Sequence, residues 1–461
     1  MQSNKVKPER PGGFIDFLPA DYLARKKMLE TIEGVFFSFG FDPIETPIIE
    51  FTKILSGETS ETGKNIFHVT GSEADESLSL RFDQTVPFAR LLASNPYNAK
   101  KRKGIRLPWR RMAVGPVFRK ETPQSGRYRQ FYQFDADIAG TTSMMADAEI
   151  LAMMYRTFEA LGISKFVIRL NNRKILNGLT DLVGIKERET VSKNDITQEM
   201  MRILDKLDKI GLDGVEALLQ ETPVNDFDPK PNLSPEDVQK ISRFLAIQGG
   251  NTEKIAQCKE LFNDIQQAAE GLAELEEILS CLEAMNIPEE YVSVDFSIAR
   301  GLDYYTGPVM ETSLSDAPEF GSVFSGGRYN DLVSRFTGNE LPAVGASVGV
   351  DRLFAALDHL DLIDREKSTV TDVLVLRLEA GQDKAYIEMA DQLRRAGKNA
   401  EVSMLDDVTF KGQFNYAISR NPHYMIICGE DEFKKNTVQV KNLRTREQVE
   451  VDQPELVNYF K

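Results

Sequence analysis

The spacing of apolar residues along the chain predicts alternating blocks of helices and strands. Apolar positions recur at helical spacing over residues 22–37, and Gly40 is a plausible stop for that helix. Residues 42–51 are typical of a strand that is entered through prolines. The alternation over residues 78–82 predicts a further strand, and a helix is expected to begin after Thr85.

Residues 111–140 are predicted to form two strands joined by a polar loop. In the second strand, one face carries polar or aromatic side chains at every other position: Arg127, Arg129, Phe131, Gln133, Asp135 and Asp137. The alternate positions are mostly apolar: Gln130, Tyr132, Phe134, Ala136 and Ile138. The apolar face should pack inward, so the other face is predicted to be a polar platform, which an antiparallel sheet can leave open to solvent or to a ligand.

Changes in sequence character divide the chain into four segments. Residues 1–184 and 287–367 combine strand patterns with glycine-rich stretches, whereas residues 185–286 are polar and helix-forming. Ser234, before a proline, is a plausible helix N-cap in this middle segment. Residues 368–461 alternate strand and helix, which predicts a small α/β unit with its own sheet. The length of 461 residues suggests two or three domains.

The overall charge narrows the possible partners. With 41% hydrophobic and 28% charged residues the chain is typical of a soluble globular protein, and its formal charge is −15. Such a protein repels polyanions at long range, so any contact with nucleic acid must be local. Residues 99–120 contain nine Lys or Arg and no acidic residue. A solvated charge run is the favoured interpretation of this segment, and a nucleic-acid contact is the alternative.

Cysteine and histidine usage argues against several kinds of site. The three cysteines form no C-x-x-C pair and the three histidines are scattered, so neither a disulfide scaffold nor a zinc or histidine-based metal cluster is expected. A reducing compartment is suggested instead. The N-terminus lacks the apolar core of a secretory signal, and no apolar run approaches membrane-spanning length. We expect a cytoplasmic protein without a membrane contact.

The glycine-rich stretches do not match the common nucleotide-binding loops. The chain has no G-x-x-x-x-G-K-[ST] loop, and no G-x-G-x-x-G opens a βαβ unit. Residues 345–349, GASVG, match the G-x-S-x-G pattern of serine hydrolases, but a catalytic triad would need His359 or His423. The favoured interpretation is that small residues here allow a strand to pack closely on the following helix.

Four arginines have positions that suit a phosphate-bearing ligand. Each lies at a predicted strand end, loop edge or helix start, beside glycine or aromatic residues: Arg119, Arg127, Arg300 and Arg352. A single arginine of this kind is most often a surface residue or a salt-bridge partner. Several together suit a polyphosphate, because guanidinium groups bind phosphate oxygens in pairs and stabilise the charge that develops in nucleotidyl transfer. The sequence alone does not show that they converge.

Five motifs resemble those of one enzyme family, in the right order. VFRKE (117–121) with GRYRQFYQFDADIAG (126–140) resembles motif 2 of class II aminoacyl-tRNA synthetases, GASVGVDRLF (345–354) resembles motif 3, and GFDPIETPIIE (40–50) resembles motif 1. ARGLDYYTGPVME (299–311) and GSVFSGGRYNDL (321–332) are similar to two signatures peculiar to histidyl-tRNA synthetases. The similarity covers most of the chain and is interrupted over the helix-forming segment.

This resemblance implies an α+β fold, in which an antiparallel class II synthetase sheet is flanked by helices. Residues 1–184 and 287–367 would form two parts of the catalytic domain, residues 185–286 a helical insertion, and residues 368–461 an α/β anticodon-binding domain. The implied reaction condenses L-histidine with ATP to histidyl-adenylate and transfers the histidyl group to the 3′ end of tRNA(His). Mg²⁺ would accompany the pyrophosphate end of ATP. The enzyme would be a homodimer with its interface over residues 36–51.

The resemblance also assigns residues to the substrates. The catalytic residues would be Arg119 and Arg300. Histidine would be bound by Asp83, Gln84, Thr85, Arg119, Gln133, Asp137, Arg300, Tyr304, Tyr305 and Tyr329. ATP would be bound by Arg119, Glu121, Arg127 and Arg352, and no protein ligand for a metal is identified. Gln133 and Asp137 share one strand face at a separation of roughly 13 Å, so they could bracket one small substrate.

Asp83 and Asp137 depart from the common bacterial form of the family, which has Glu at both positions, and look more like its eukaryotic and archaeal branch. By the resemblance, Asp83 with Thr85 and Gln133 would bind the ammonium group of histidine, and Asp137 with Tyr305 would bind the imidazole. Without the motif context, a solvated acid at a strand end is the favoured interpretation of both aspartates.

A function of another class is the alternative. A non-catalytic relative, such as the regulatory subunit that partners ATP phosphoribosyltransferase, keeps the fold but tends to lose the activating arginines and the C-terminal domain. This chain retains Arg119, Arg300 and Arg352 and has the α/β segment after residue 368, which favours the synthetase.

Overall fold

The computed structural model describes residues 6–56, 65–70, 77–298 and 305–460. The chain forms two compact units: the first comprises Met1–Ile15 and Met28–Leu362, and the second comprises Asp16–Lys27 and Ile363–Lys461. Two predicted site residues, Arg300 and Tyr304, lie outside the described residues.

The first unit contains most of the helices and two sheets. The α-helices and strands up to residue 362 are, in chain order, α1 (Pro19–Ser38), β1 (Asp42–Pro43), β2 (Ile49–Phe51), α2 (Thr52–Ser56), β3 (His68–Val69), β4 (Leu78–Leu80), α3 (Thr85–Ser94), β5 (Trp109–Phe118), β6 (Gln130–Ala139), α4 (Met144–Ala160), β7 (Phe166–Asn172), α5 (Arg173–Leu182), α6 (Lys193–Leu204), α7 (Leu207–Leu219), α8 (Pro235–Leu245), α9 (Asn251–Phe262), α10 (Gln266–Ala284), β8 (Val292–Val294), β9 (Pro308–Leu314), β10 (Ser322–Tyr329), α11 (Ser334–Thr337), β11 (Ala343–Gly349) and α12 (Val350–His359). The first part of α1 belongs to the second unit.

The large sheet of the first unit has eight described strands in the order β1-β5-β6-β11-β10-β9-β7-β8. Neighbours from β5 through β7 are antiparallel, which confirms the predicted antiparallel sheet at its centre. At the two edges, β1 pairs with β5 and β8 pairs with β7 in parallel, so the sheet as a whole is mixed. A small sheet has the strand order β2-β4-β3, and its strand β2 begins at the end of the predicted first motif.

Strand β6 has the two faces that its sequence predicts. Phe134, Ala136 and Ile138 are buried in the core, where the Phe134 ring centroid lies 4.8 Å from that of Phe36. Asp135 and Asp137 are on the opposite face, but each is only 3% exposed. At these two positions the polar face is therefore shielded from bulk solvent.

The segment between β7 and β8 is helical, as predicted, and it completes an edge of the large sheet. Ser234 caps α8 by accepting a hydrogen bond from the backbone N–H of Asp237 at 3.2 Å. At the start of α9, the amide of Asn251 donates to the carbonyl of Val292 and accepts from the N–H of Val294, both at 2.8 Å. One side chain thus pairs two backbone groups of the edge strand β8.

The second unit has the predicted α/β character and its own five-stranded sheet. Its elements after residue 362 are β12 (Val373–Val375), α13 (Asp383–Arg395), β13 (Ala400–Val402), α14 (Phe410–Arg420), β14 (Tyr424–Ile427), α15 (Glu430–Lys435), β15 (Thr437–Asn442), β16 (Gln448–Asp452) and α16 (Leu456–Tyr459). The strand order is β13-β12-β14-β15-β16, parallel among the first three strands and antiparallel after them. Across the described residues of both units, no helix is long and apolar enough to cross a membrane.

Candidate active site

A cavity of about 340 Å³ lies against the polar face of the large sheet. Ten of the eleven predicted site residues that the structure describes line it: Asp83, Thr85, Arg119, Glu121, Arg127, Gln133, Asp137, Tyr305, Tyr329 and Arg352. They come from the start of α3 and from Asp83 two residues before it, from the β5–β6 hairpin, and from the segment between Tyr305 and α12. The fold therefore brings into one cavity residues that are more than 200 positions apart in the chain.

Glycines on neighbouring strands make room for the polar side chains of β6. In the register of β6 and β11, Gly345 lies directly across from Asp137, and Gly349 directly across from Gln133. A Cβ atom on Gly345 would overlap the carboxylate of Asp137. On the next strand, a Cβ atom on Gly327 would lie 2.8 Å from the ring of Tyr305. The glycines of GASVG and GGRY thus shape the cavity, in addition to allowing the close packing that the sequence suggested.

Three carboxylates lie in or under the cavity wall, and all are buried. Asp83 is 2% exposed, and Asp135 and Asp137 are 3% exposed, which contradicts the interpretation of Asp83 and Asp137 as solvated acids. Burial raises the pKa of Asp83 to about 6 and that of Asp135 to about 7. Burial also raises the pKa of Asp137, while Arg111 opposes the shift. The folded protein therefore holds three acidic side chains close together in a buried site, and keeping them ionised there costs free energy.

Arg111 balances part of this charge, although the sequence analysis gave it no role. It is fully buried, its Nη2 lies 2.5 Å from Oδ2 of Asp137, and its guanidinium is centred 4.3 Å from the Phe88 ring centroid. The other carboxylate oxygen of Asp137 accepts a 2.6 Å hydrogen bond from Tyr329. Arg111 lies directly across from Asp137 in the β5–β6 register. Arg111 and Arg119 are separated by an even number of residues, so the alternation of an extended strand puts them on the same face. This is the sequence signal that could have identified Arg111.

Several buried acceptors at the cavity have no hydrogen-bond partner among the described residues. They include Oδ2 of Asp83, Oε1 of Gln133 and Oδ1 of Asp135; Oδ2 of Asp137 also accepts no hydrogen bond but is ion-paired with Arg111. The second oxygen of Asp83 already accepts from the backbone N–H of Val86 at 3.1 Å. Buried polar atoms are almost always paired, so three unpaired acceptors at one cavity indicate a ligand that is rich in N–H donors. An ammonium group has three such donors and a positive charge.

Arginines line another part of the same cavity. Arg119 is held by a 3.0 Å hydrogen bond from Nε to the carbonyl of Phe82, and its guanidinium is centred 5.1 Å from the Phe131 ring centroid. Arg352 donates from Nη1 to the carbonyl of Ser322 at 2.6 Å. Arg127, at the exposed end of the hairpin loop, also lines the cavity. Arg119, Arg127 and Arg352 thus face one space, which the sequence alone could not establish.

Two polar side chains, Gln84 and Arg328, support the site through contacts with the protein. Gln84 is the predicted residue that does not line the cavity: its Nε2 donates to the backbone carbonyls of Gln133 at 2.8 Å and Ala113 at 3.3 Å. Arg328, in the sequence GGRY, forms a buried ion pair with Asp147 and donates to the carbonyl of Thr141 at 2.8 Å. Both side chains are therefore engaged with the protein, and the predicted contact of Gln84 with histidine stays a prediction.

The structure gives no support to the serine hydrolase alternative. Ser347, the central residue of GASVG, accepts a 3.0 Å hydrogen bond from Nε2 of Gln133. His359 instead lies 3.1 Å from a carboxylate oxygen of Glu319, and His423 belongs to the second unit. The described contacts of Ser347 therefore include no histidine that could act as its base.

Comparisons with known proteins point to one family. Residues 13–353 match the family model described as Histidyl-tRNA synthetase, and residues 372–461 match the one described as Anticodon binding domain. A histidine--tRNA ligase from Clostridium tetani is 38% identical over the whole of both chains. One from Wolinella succinogenes is 37% identical and aligns over 96% of this chain and 95% of its own. These relatives are bacterial, although Asp83 and Asp137 look more like the eukaryotic and archaeal branch.

Solved structures show the same likeness. The crystal structure of histidyl-tRNA synthetase from Nostoc sp. PCC 7120 is 32% identical, covers 99% of both chains and superposes with a TM-score of 0.81. The family model spans most of the first unit and both relatives align over nearly their full length. The chain therefore belongs to the histidyl-tRNA synthetase family.

Proposed function

We propose that this chain activates L-histidine with ATP and transfers the histidyl group to the 3′ end of tRNA(His). The observation that carries the proposal is the cavity itself, in which unpaired buried acceptors and several arginines face one space. The acceptors suit the ammonium group and ring N–H of an amino acid, and the arginines suit a triphosphate. The anticodon-binding match over residues 372–461 supports tRNA as the acceptor.

The acidic side of the cavity would hold histidine. Asp83, Thr85 and Gln133 would receive its ammonium group, for which two of them offer an unpaired oxygen. Asp137 and Tyr305 would meet the two ring nitrogens. Tyr329 holds the Asp137 carboxylate in place through its 2.6 Å hydrogen bond. A site built on hydrogen bonds to both nitrogens rejects other amino acids, because its buried polar groups would then stay unpaired.

The arginine side would hold the nucleotide. A carboxylate oxygen of histidine attacks the α-phosphorus of ATP, the bond from that phosphorus to the bridging oxygen breaks, and pyrophosphate leaves. Arg119 would stabilise the charge on the α-phosphate, Arg127 and Arg352 the outer phosphates, and Glu121 would meet the adenine. Arg300 would approach the α-phosphate from the opposite side, by the family resemblance alone.

Mg²⁺ would enter as part of the ATP substrate. The described residues contain no cluster of three or more His, Cys, Asp or Glu that could hold a metal ion. Glu311, a half-buried carboxylate at the cavity, fits the usual arrangement in which one or two acids and the phosphates share the ion. When bound, Mg²⁺ neutralises part of the charge of the phosphates.

A homodimer is the proposed assembly, with residues 36–51 at its interface. Within this segment Phe36 and Phe41 are buried in the core of the unit. Phe37, Ile49 and Phe51 are 49%, 44% and 42% exposed in the single chain. Exposed apolar side chains concentrated in one short segment are typical of a protein interface. Sedimentation velocity would test the assembly, and a mass of one chain at working concentration would refute it.

The activity is tested by histidine-dependent exchange of pyrophosphate into ATP. Wild-type protein should catalyse the exchange, and Arg119→Ala and Arg300→Ala should each lower its rate by orders of magnitude while L-histidine binding is largely kept, because the charge of each arginine is needed most in the transition state. An equal loss of binding and rate would contradict that role. A chain that binds L-histidine but shows no exchange would instead favour the non-catalytic regulatory alternative.

A further inference from the structure

Asp135 is an acid in the cavity wall to which the family resemblance assigns no substrate group. It lines the cavity on the same face of β6 as Gln133 and Asp137, and only 3% of the residue is exposed. Its Oδ1 atom is buried without a hydrogen-bond partner among the described residues. Because buried carboxylate oxygens are normally paired, this atom indicates a hydrogen-bond donor that the described side chains do not supply.

The pairing of the strands explains why Asp135 lacks the cation that its neighbour has. Asp137 lies directly across from Arg111 on β5 and forms an ion pair with it. Asp135, two residues earlier, lies across from Ala113 on β5 and from Ser347 on β11, and neither of these residues carries a charge. The register therefore places a cation directly opposite Asp137 but none directly opposite Asp135.

The two arginines that act on Asp135 from a distance are bound to other groups. Arg111 is paired with Asp137, and it only opposes the rise in the pKa of Asp135 that burial causes. Arg81 reaches the same face over Gly115, where an added Cβ atom would overlap its Nη2, but its Nε and Nη1 donate to two backbone carbonyls at 2.9 Å. The negative charge of Asp135 is thus left for a ligand to balance.

Three buried acceptors without a partner among the described residues surround this part of the cavity: Oδ2 of Asp83, Oε1 of Gln133 and Oδ1 of Asp135. Gln133 and Asp135 are about 7 Å apart along β6. The side chain of Gln84 donates to the carbonyls of Gln133 and Ala113. Ala113 lies directly across from Asp135, so this contact holds Asp83 beside the same stretch of the sheet. An ammonium group matches these acceptors with three N–H donors and one positive charge, whereas a neutral imidazole offers one N–H.

We propose that Asp135 binds the ammonium group of histidine directly, as a second carboxylate beside Asp83. The inference deepens the proposed function and rests on it, since it adds a residue to the same histidine site. Asp137 and Tyr305 keep the two ring nitrogens, so each aspartate of the β6 face meets a different part of the ligand. A ligand that lacks the ammonium group would leave both Asp83 and Asp135 without a cation, which is unfavourable for two buried like charges.

Calorimetric Kd values for three ligands separate the ammonium group from the ring. L-Histidine has both groups, histamine keeps both but lacks the carboxylate, and imidazole-4-propionate has the ring and the carboxylate but no ammonium group. The full-length wild type is compared with Asp135→Asn, Asp135→Ala and Asp137→Asn, and with Asp213→Asn as an exposed control. Measurements at pH 8 keep Asp135 ionised in the wild type, because burial raises its pKa only to about 7. The fluorescence of Trp109 checks that each variant folds.

The two changes at Asp135 should affect only the ligands that carry an ammonium group. Asp135→Asn and Asp135→Ala should each raise the Kd for L-histidine and for histamine by about tenfold or more, the usual effect of losing a hydrogen bond to a charged group. Binding of imidazole-4-propionate should not weaken in either variant, since it has no group for Asp135 to bind. Asp137→Asn should weaken all three ligands, because all contain the ring, and Asp213→Asn should weaken none.

Two results would overturn the inference. If Asp135→Asn leaves the Kd for L-histidine unchanged, Asp135 does not bind the ammonium group. If it weakens imidazole-4-propionate as much as L-histidine, the carboxylate serves the ring or the general structure of the site. A wild type that binds none of the three ligands would refute the histidine site itself. Binding of L-histidine without pyrophosphate exchange would refute the proposed activity, while the role of Asp135 is still decided by the same Kd values.

Discussion

Asp135 offers a direct test of what the acidic site costs the empty protein. Burial raises its pKa from 3.8 to about 7, so keeping this carboxylate ionised in the folded state costs about 4 kcal/mol. Asparagine has nearly the same shape and no charge. We therefore expect Asp135→Asn to be more stable than wild type at pH 8 when no ligand is present.

The raised pKa of Asp135 also determines how the stability difference between Asp135→Asn and wild type changes with pH. Because the pKa of Asp135 is higher in the folded than in the unfolded chain, its favourable contribution to folding is complete below about pH 4 and is lost as the pH rises to about 7. The stability difference between Asp135→Asn and wild type should thus be small near pH 4 and should grow to at most about 4 kcal/mol at pH 8. Relaxation and water entry around the ionised carboxylate would reduce that value.

Urea unfolding measures this difference. The chain has a single tryptophan, Trp109, which lies at the start of β5 beside the site, so its fluorescence reports the unfolding of this part of the protein. Asp213→Asn, at an exposed position, is the matched control and should show no such pH trend. A stability difference that is independent of pH, or a wild type that is more stable than Asp135→Asn at pH 8, would refute the reasoning.

Three further predictions concern the glycines, the basic segment and the assembly. Gly345→Ala should displace the imidazole-binding carboxylate of Asp137 and raise the KM for histidine at least about tenfold. Gly12→Ala is the control, because its added Cβ atom would meet no atom within 4 Å, and it should have no effect in steady-state exchange kinetics. Lys101→Glu with Lys103→Glu should leave the KM for tRNA within about twofold, because a solvated run is the favoured interpretation; a tenfold rise in aminoacylation assays would show that the segment contacts tRNA. Phe51→Glu should convert a dimer to single chains in sedimentation velocity, and an unchanged mass would exclude Phe51 from the interface.

The sequence predicted the elements around the site well, because local patterns determine them. The alternation in β6 placed Gln133, Asp135 and Asp137 on one face, and the described structure has them there. The pattern could not show that this face is covered, since the covering residues come from distant parts of the chain. For that reason Asp137 was open to interpretation as a solvated acid, although it is 3% exposed.

The sequence could not show which side chains lie opposite each other on neighbouring strands. Arg111 pairs with Asp137 only because the register of β5 and β6 puts them directly opposite. Register depends on the hairpin loop and on the packing of both faces, and a shift by one residue would turn every side chain to the other face. Gln84 is the opposite case. The motif assigned this residue to the ligand, but its side chain donates hydrogen bonds to the backbone of β5 and β6.

The contact of Asn251 with β8 makes the helical insertion hard to remove. The amide of Asn251 occupies the N–H of Val294 and the carbonyl of Val292, and Nζ of Lys254 donates to the carbonyl of Val294 at 2.7 Å. A shortened protein without α9 would present a bare strand at the border of its main sheet, ready to pair with another molecule. Truncation would therefore produce aggregates before it revealed any effect on catalysis. In evolution, the insertion could be lost only together with a new cover for that border.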